Sequence, residues 1–594
     1  MQKYKSRKDV PLKYKWDLTH YFKDEKDFND NLSKCETMID ALKDYVGSTK
    51  DAKKLYEFLK NDIEANALIM NLYIYVSLLN DQELGNSKNI ELLNKVEDTF
   101  NKYVINTSFF APELLKLSKE EYEELFNKNN KLNEFKSDLD KIYRGKEHVI
   151  DEEKENIISE LDNAMNHFDD MSSTMLNGEH DYGTVVVDGE EEKIATTNIR
   201  RLLKNEDRSF RKEVRDKYNK VLDRYGVSAA QMLNGYVKSN IVKAKLHNYK
   251  DAWDAKIFKL NMPNEAYETL LNTTEKHLDV LHRYYRVFKK SVGLKELYQY
   301  DLSLDMTKNS KKYSIEEAQE LVLEAIKPLG EDYENRFKKV FDEHHIDYAQ
   351  YPSKCSGGYC ATSLDKHSNI LMSFNYDLDS VSTIAHEGGH DIHHTYVNDN
   401  NPLQYREVSN LVAEVASLTN ECLLSSYLSI NGKTDEEKMS GIDNILGVIA
   451  NNYYDAVREA KMEQDFYNYV SSGHTITKDY MDDLTYKSLE KYYGKEVILD
   501  EHSKNSWIVR SHYYMNYYLY SYAFCISIAS YIASEILNGN KDMLEKYHKF
   551  LCTGSNVWPI DAIKILGIDL RKPDVYEGAI NYFASLLDKF ETMI

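Results

Sequence analysis

Apolar residues recur at helical spacing along most of the chain. In the stretch Lys53–Tyr73 they fall at Leu55, Phe58, Leu59, Ile63, Leu68, Ile69 and Leu72, a stripe that predicts one amphipathic helix. The same texture predicts helices across residues 12–110. Pro112 suits the first turn of a new helix, with Leu114, Leu115 and Leu117 behind it, and three further helices are expected over 112–175. The pattern then changes. Asn177–Gly178 is a turn signal, Thr184–Val187 is rich in β-branched residues, and Asp188–Gly189 follows at once, which predicts a small hairpin. Helical spacing resumes near Asn205 and continues to about 345, with Pro263 and the following Asn264 and Glu265 fitting a first turn. A second break covers 353–376. Ser356–Gly357–Gly358–Tyr359–Cys360 is too rich in glycine for a helix interior, and Ser368–Phe374 reads as a strand. From Asp379 the helical pattern runs almost to the end. The fold class is therefore mostly α, with one or two small β elements. The breaks divide the sequence into regions 1–110, 111–196 and 197–594.

Composition supports this picture. Of 594 residues only 8 are Pro and 23 Gly, so few breakers interrupt the helices, and 42% hydrophobic residues suffice for a large core. The formal net charge of −22 repels phosphate backbones and anionic lipid, which argues against nucleic acid or a membrane as partner. The 6 cysteines are scattered and form no CxxC pair, as expected for reduced thiols in the cytoplasm. No apolar leader is visible at the N-terminus and no unbroken apolar run reaches membrane-spanning length, so neither a signal peptide nor a membrane span is expected.

Chemistry concentrates at His386–Glu387–Gly388–Gly389–His390, an HExxH pattern. On a helix, residues four apart lie about 40° apart around the axis and about 6 Å along it, so two imidazoles can converge on one ion. Glu387 then sits beside the ion rather than on it, where it can take a proton from water. A hydrolytic zinc site needs a third protein ligand and an open position. Glu414 is the best candidate, because it lies in the apolar helical run Leu411–Glu421, where a carboxylate needs a partner. Glu421, about two turns further on, could orient a bound histidine. Gly388 and Gly389 weaken a helix by about 1 kcal/mol each relative to Ala, which points to a backbone packed closely against it. His393 and His394 are expected beside the site rather than in it.

These residues resemble the thimet oligopeptidase family, most closely its oligoendopeptidase F branch. The resemblance rests on Ala385–His393, on Val412–Ser417 with Asn420–Glu421, on Trp16–Asp17–Leu18, on Asp207–Arg211, on the glycine–tyrosine segment 357–359 and on Asn369–Met372. Gly388 departs from it, since a larger apolar residue is expected there. The resemblance implies two helical halves flanking a deep channel, with a small β element near the active site. It implies one Zn²⁺ per chain, an oligopeptidase-F-type region over 111–196 and a zincin-type catalytic region over 197–594. It further implies cleavage inside short unstructured peptides, with Gly357, Gly358 and Tyr359 meeting substrate and the strand near 368–374 pairing with an extended peptide.

Hydrolysis of an amide also needs donors for the developing oxyanion. The segment His512–Tyr522 is crowded with tyrosine, and on a helix Tyr513, Tyr517 and Tyr520 would share one stripe. By the resemblance, His512, Tyr513 and Tyr520 are the donors. Three other readings compete. One is a zinc carboxypeptidase with the same constellation. Another is a non-catalytic peptide-binding protein. The third is a di-iron centre built from Glu387…His390 and the second ExxH pattern, Glu545…His548.

Overall fold

The stripe at 53–73 is the first part of a long helix, Ala52–Gln82. Asp51 starts it by accepting from the backbone N–H groups of Lys53 and Lys54. Leu55, Phe58, Leu59, Ile69 and Leu72 are buried, and Ile63 and Leu68 pack half-buried beside them. The computed structural model describes residues 4–150, 154–155, 157–158, 167–307 and 311–594. Over the stretch 112–175 it contains the helices Phe110–Leu115, Lys119–Lys128, Lys136–Arg144 and Phe168–Thr174, with Pro112 in a first turn as expected. The part of that stretch at 151–153, 156 and 159–166 lies outside the described residues.

The chain packs as two compact units, each drawn from three separate segments. The first comprises Met1–Val149, Lys311–Leu424 and Glu535–Gly567; the second comprises Ile150–Ser310, Ser425–Ser534 and Ile568–Ile594. These units do not follow the linear division at 110 and 196, because the chain passes from one to the other several times.

The first unit holds a three-stranded sheet of order β4 (Ile346–Asp347), β6 (Asn369–Leu371), β5 (Tyr359–Ala361). β4 runs parallel to β6 and β5 antiparallel. A buried charge cluster fixes the connection. The Lys354 ammonium donates to the carbonyls of Asp347, Ala349 and Met372 at 2.7–2.9 Å and lies 2.7 Å from Asp347 Oδ1, while Arg7 pairs with the other oxygen of Asp347. An ammonium with four oxygen partners tolerates burial that would otherwise expel it.

The second unit contains the hairpin of β1 (Thr184–Val187) and β2 (Glu190–Lys193), and a parallel pair, β3 (Leu297–Tyr298) with β7 (Val497–Ile498). The β1–β2 turn is Asp188–Gly189, both at positive φ, as a two-residue hairpin turn requires. Asn177–Gly178 is not a turn; it belongs to a π-helical stretch, Met175–Glu179. The helix Arg208–Leu246 starts at Asp207, which accepts from the Ser209 N–H. Arg211 is buried and donates to Asp301 at 2.6 Å and to two backbone carbonyls, so the segment Asp207–Arg211 is a helix start with a built-in ionic anchor. The helix Tyr520–Leu537 is long and apolar enough on average to cross a membrane, although polar residues interrupt its apolar run. It is 72% buried inside the fold, as a core helix is.

Glu463 is fully buried in this unit. It accepts from the Tyr517 N–H at 2.7 Å, and its second oxygen has no partner. Burial pushes its carboxyl up to about 8, against the Tyr517 hydrogen bond and the charge of Lys256. A carboxyl raised on folding favours the folded state fully below the unfolded value near 4.5. That advantage is lost as pH rises through about 8. The unfolding midpoint is therefore expected to fall between pH 5 and 9. Glu463→Gln, which keeps the acceptor for Tyr517, should flatten the fall, worth several kcal/mol at the alkaline end, in a thermal scan at each pH.

Candidate active site

The HExxH segment lies on the helix Leu378–Asn400, begun by Asp377, whose side chain accepts from the Ser380 N–H. Val381, Ile384 and Ala385 are buried and turn the opposite face, with His386 and His390, toward a cleft. The two glycines have separate causes. A Cβ on Gly389 would stand 2.6 Å from Ser417 Cα and 2.9 Å from Ser417 N, so the two helix backbones touch here. A Cβ on Gly388 would meet the Phe337 ring at 2.1 Å, and that ring occupies the volume where a larger residue was expected. Gly389→Ala should force the two helices apart. About 1–3 kcal/mol of lost stability in denaturant unfolding, with weaker metal binding, is the expected result.

The helix Glu414–Asn431 starts at Glu414 itself, so the residue projects from a first turn and not from the middle of a helix. Its Oε2 lies 3.2 Å from His386 Nε2 and 3.3 Å from His390 Nε2. The ligand atoms of these three residues lie within 4.8 Å of one another, the one such group among the described residues. His386 Nδ1 donates to Glu421 Oε1 at 2.6 Å, which leaves Nε2 as the nitrogen that faces the shared point. Burial opposes charge on His386, but the hydrogen bonds to Glu414 and Glu421 outweigh it and raise its pKa well above the usual value. Burial likewise opposes charge on Glu414, and the two imidazoles overcome it and hold its carboxyl low. Two nitrogens and a carboxylate oxygen that converge in this way, with a further carboxylate behind one imidazole, form a donor set that fits a divalent cation.

Glu387 is buried on the same cleft wall. Burial raises its pKa, the neighbouring histidines lower it, and Glu414 and Glu421 push it up again. Gly358 leaves room beside this carboxylate, since a Cβ there would lie 3.7 Å from Glu387 Oε1 and 3.0 Å from Thr383 Cγ2. Gly358 and Tyr359 line the cleft, whose volume is about 600 Å³. The Tyr359 hydroxyl donates to Asp81 at 2.5 Å. β6 cannot add a peptide strand, because both its edges are taken by β4 and β5. Of the two outer strands, β4 is flanked by backbone hydrogen bonds from Tyr348 to Tyr14 and from Asp17 to His344, and β5 is the one that lines the cleft.

Sequence reasoning missed three supports. Ser417 Oγ donates to Glu414 Oε2 at 2.9 Å. Asn420 Nδ2 donates to the Ala385 carbonyl at 3.0 Å and accepts from the Tyr333 hydroxyl at 2.9 Å, which ties the two site helices together. Ser382 Oγ donates to Glu421 Oε2 at 3.1 Å. Only helical spacing from the ligands could have flagged them. His393 packs against the Phe550 ring, while His394 lines the cleft with its Nδ1 lacking a partner.

The late segment differs from expectation. His512–Tyr522 is not one helix. A short 3-10 turn, Ser511–Tyr514, is followed by Asn516 and Tyr517 at positive φ, and helix resumes at Tyr520. Tyr513, Tyr517 and Tyr520 therefore share no helical stripe. They are buried in the second unit against Phe466 and Trp253, with ring centroids 5.0–5.3 Å apart. His512 is half-buried, its Nε2 3.3 Å from the Tyr522 hydroxyl. The di-iron reading fails on geometry. His548 Nε2 is held by the Leu329 carbonyl at 2.9 Å, and the pair Glu545…His548 joins no ligand cluster among the described residues.

Comparison with known proteins decides between the remaining classes. The family model "Peptidase family M3" matches residues 201–582 and the model "Oligopeptidase F" matches residues 113–182. The chain belongs to peptidase family M3. It is 28% identical over 591 residues to oligopeptidase PepF of Bacillus subtilis, covering 99% of this chain and 88% of that protein. It is equally 28% identical to the group B oligopeptidase PepB of Streptococcus agalactiae, over 99% of this chain and 98% of the other. The crystal structure of oligoendopeptidase-F from Enterococcus faecium superposes with a TM-score of 0.73 at 24% identity, over 96% of this chain and 99% of that one, which shows a common fold. Membership places this M3 chain in the oligoendopeptidase F branch and makes it a metalloendopeptidase. A non-catalytic scaffold is thereby set aside.

Proposed function

We propose that this M3 peptidase is a zinc endopeptidase that hydrolyses internal bonds of short unstructured peptides, with His386, His390 and Glu414 as ligands and Glu387 as general base. The observation that carries the reading is the convergence of two Nε2 atoms and Glu414 Oε2 on one point of a cleft wall that Glu387 shares. When bound, zinc supplies Lewis acidity, polarising the scissile carbonyl and acidifying water. Glu387 accepts the proton of the attacking water and later delivers it to the leaving amide nitrogen. Glu421 keeps His386 in the tautomer whose Nε2 can bind, and Ser417 and Asn420 hold Glu414 and its helix in place.

Gly357, Gly358 and Tyr359 lead into β5, and a peptide would add to that edge strand rather than to β6. Among the proposed donors of the late segment, His512 stands first, because Tyr513 and Tyr520 are buried within their own unit. The six cysteines form no disulfide among the described residues, and a reduced, cytoplasmic setting is part of this reading. The test is a set of quenched peptides of about ten residues, spanning about 33–36 Å when extended, with and without blocked ends. Internal product masses from the blocked peptide support an endopeptidase. Release of single C-terminal residues from the unblocked peptide alone would favour the carboxypeptidase reading.

A further inference from the structure

The cleft carries one carboxylate that hydrolysis does not use. Glu407 lies in the connection between the helices Leu378–Asn400 and Glu414–Asn431, and it lines the same cleft as the ligands and Glu387. Arg406 anchors that connection, donating from Nε to the Asn401 carbonyl at 2.9 Å and from Nη1 to the Leu364 carbonyl at 3.1 Å. The neighbouring guanidinium is thus spent on backbone oxygens. Lys141 is near enough to feel Glu407, but its ammonium is held by the Ser555 carbonyl and lies 5.1 Å over the Trp558 ring. Glu407 itself is exposed and forms no ion pair among the described residues.

The rest of the cleft offers no opposing charge. No lysine or arginine lines it among the described residues. His394 does line it, and its Nδ1 is buried without a partner among the described residues. Arg406 and Lys141 are bound to backbone carbonyls, so neither cation is paired directly with the Glu407 carboxylate. Asn410 adds a polar side chain on the same loop.

We propose that Glu407, with Asn410 on the same loop, forms a subsite for a positively charged group of the peptide. The peptidase then favours cationic substrates. This deepens the peptidase reading and rests on it. The cation has two possible sources, a Lys or Arg side chain and a free amino terminus. The chain's net charge of −22 attracts either at long range, but only a subsite distinguishes position.

The experiment uses quenched, end-blocked peptides that differ at one position, filled by Arg, norleucine or Glu and moved along the sequence, together with the same peptides bearing a free amino terminus. For the native protein kcat/KM should favour Arg over norleucine by about fivefold at one position relative to the cut, as for an exposed ion pair, and 0.5 M salt should erode the ratio. Glu407→Gln should bring the ratio to about one, and Glu407→Lys should reverse it toward Glu. If a free terminus is the source, acetylation removes the preference and the Arg position does not matter. An Arg-to-norleucine ratio and a free-to-acetylated terminus ratio both unchanged in Glu407→Gln would overturn the subsite. Binding of labelled Arg and norleucine peptides to Glu387→Gln and to Glu387→Gln/Glu407→Gln, followed by fluorescence anisotropy, reads the subsite without turnover. Cleavage with a ratio indifferent to Glu407 defeats the subsite alone. Charge-dependent binding without any cleavage defeats the hydrolytic reading and leaves the subsite standing.

Discussion

Glu387→Gln is expected to lower kcat on a quenched peptide by about 10²–10⁴-fold with little change in KM and with metal content unaltered. Gln is nearly isosteric, so the buried wall formed by Glu387, Gly358 and Thr383 stays filled. What is lost is the ability to accept and return a proton. Burial and the nearby carboxylates Glu414 and Glu421 disfavour charge at this position, while His386 and His390 favour it. The variant removes that balance without touching a ligand. Metal content measured on the purified variant separates base from ligand. Loss of the metal would assign Glu387 to coordination instead.

Glu414→Ala should have the second large effect, through metal binding rather than proton transfer. Its Oε2 meets both imidazole nitrogens and also accepts from Ser417. Truncation leaves two histidines with no third donor, while the Ser417 hydroxyl keeps its bond to the backbone carbonyl of residue 414 at 3.0 Å. Metal affinity should fall by more than the about 10- to 100-fold expected for Glu421→Gln, which disturbs only the tautomer and aim of His386. A competition titration with a chromophoric chelator would measure both. Activity of Glu421→Gln should return at high metal concentration, and that of Glu414→Ala should not.

Most of this site is visible in the sequence because it is local. The spacing of His386 and His390 places both on one helix face, and an acid in the apolar run around Glu414 demands a partner. The glycine pair signals a close approach, which Gly389 makes with Ser417 and Gly388 makes with the Phe337 ring. Of the supports, Ser417 on Glu414 is local, while those of Asn420 and Ser382 depend on pairings distant in sequence. Asn420 on the Ala385 carbonyl and the Tyr333 hydroxyl on Asn420 follow from how three helices meet, which periodicity does not encode. The strand at 369–371 illustrates the same boundary. Its β-forming residues are plain in the sequence, but its place between β4 and β5, which denies it to substrate, is a property of the sheet. The helical stripe expected of the late tyrosines is broken for a local reason. Asn516 and Tyr517 adopt positive φ, so counting by helical turns through them assigns the wrong neighbours.

The most direct test of the central claim is to strip the protein with a chelator and titrate zinc back while following both bound metal and cleavage of an end-blocked peptide. The account predicts that activity vanishes with the metal and returns in proportion to occupancy, reaching its plateau at one zinc per chain, and that His390→Ala neither binds at that stoichiometry nor recovers. Full activity in the metal-free protein, or recovery in His390→Ala equal to the native protein's, would contradict it.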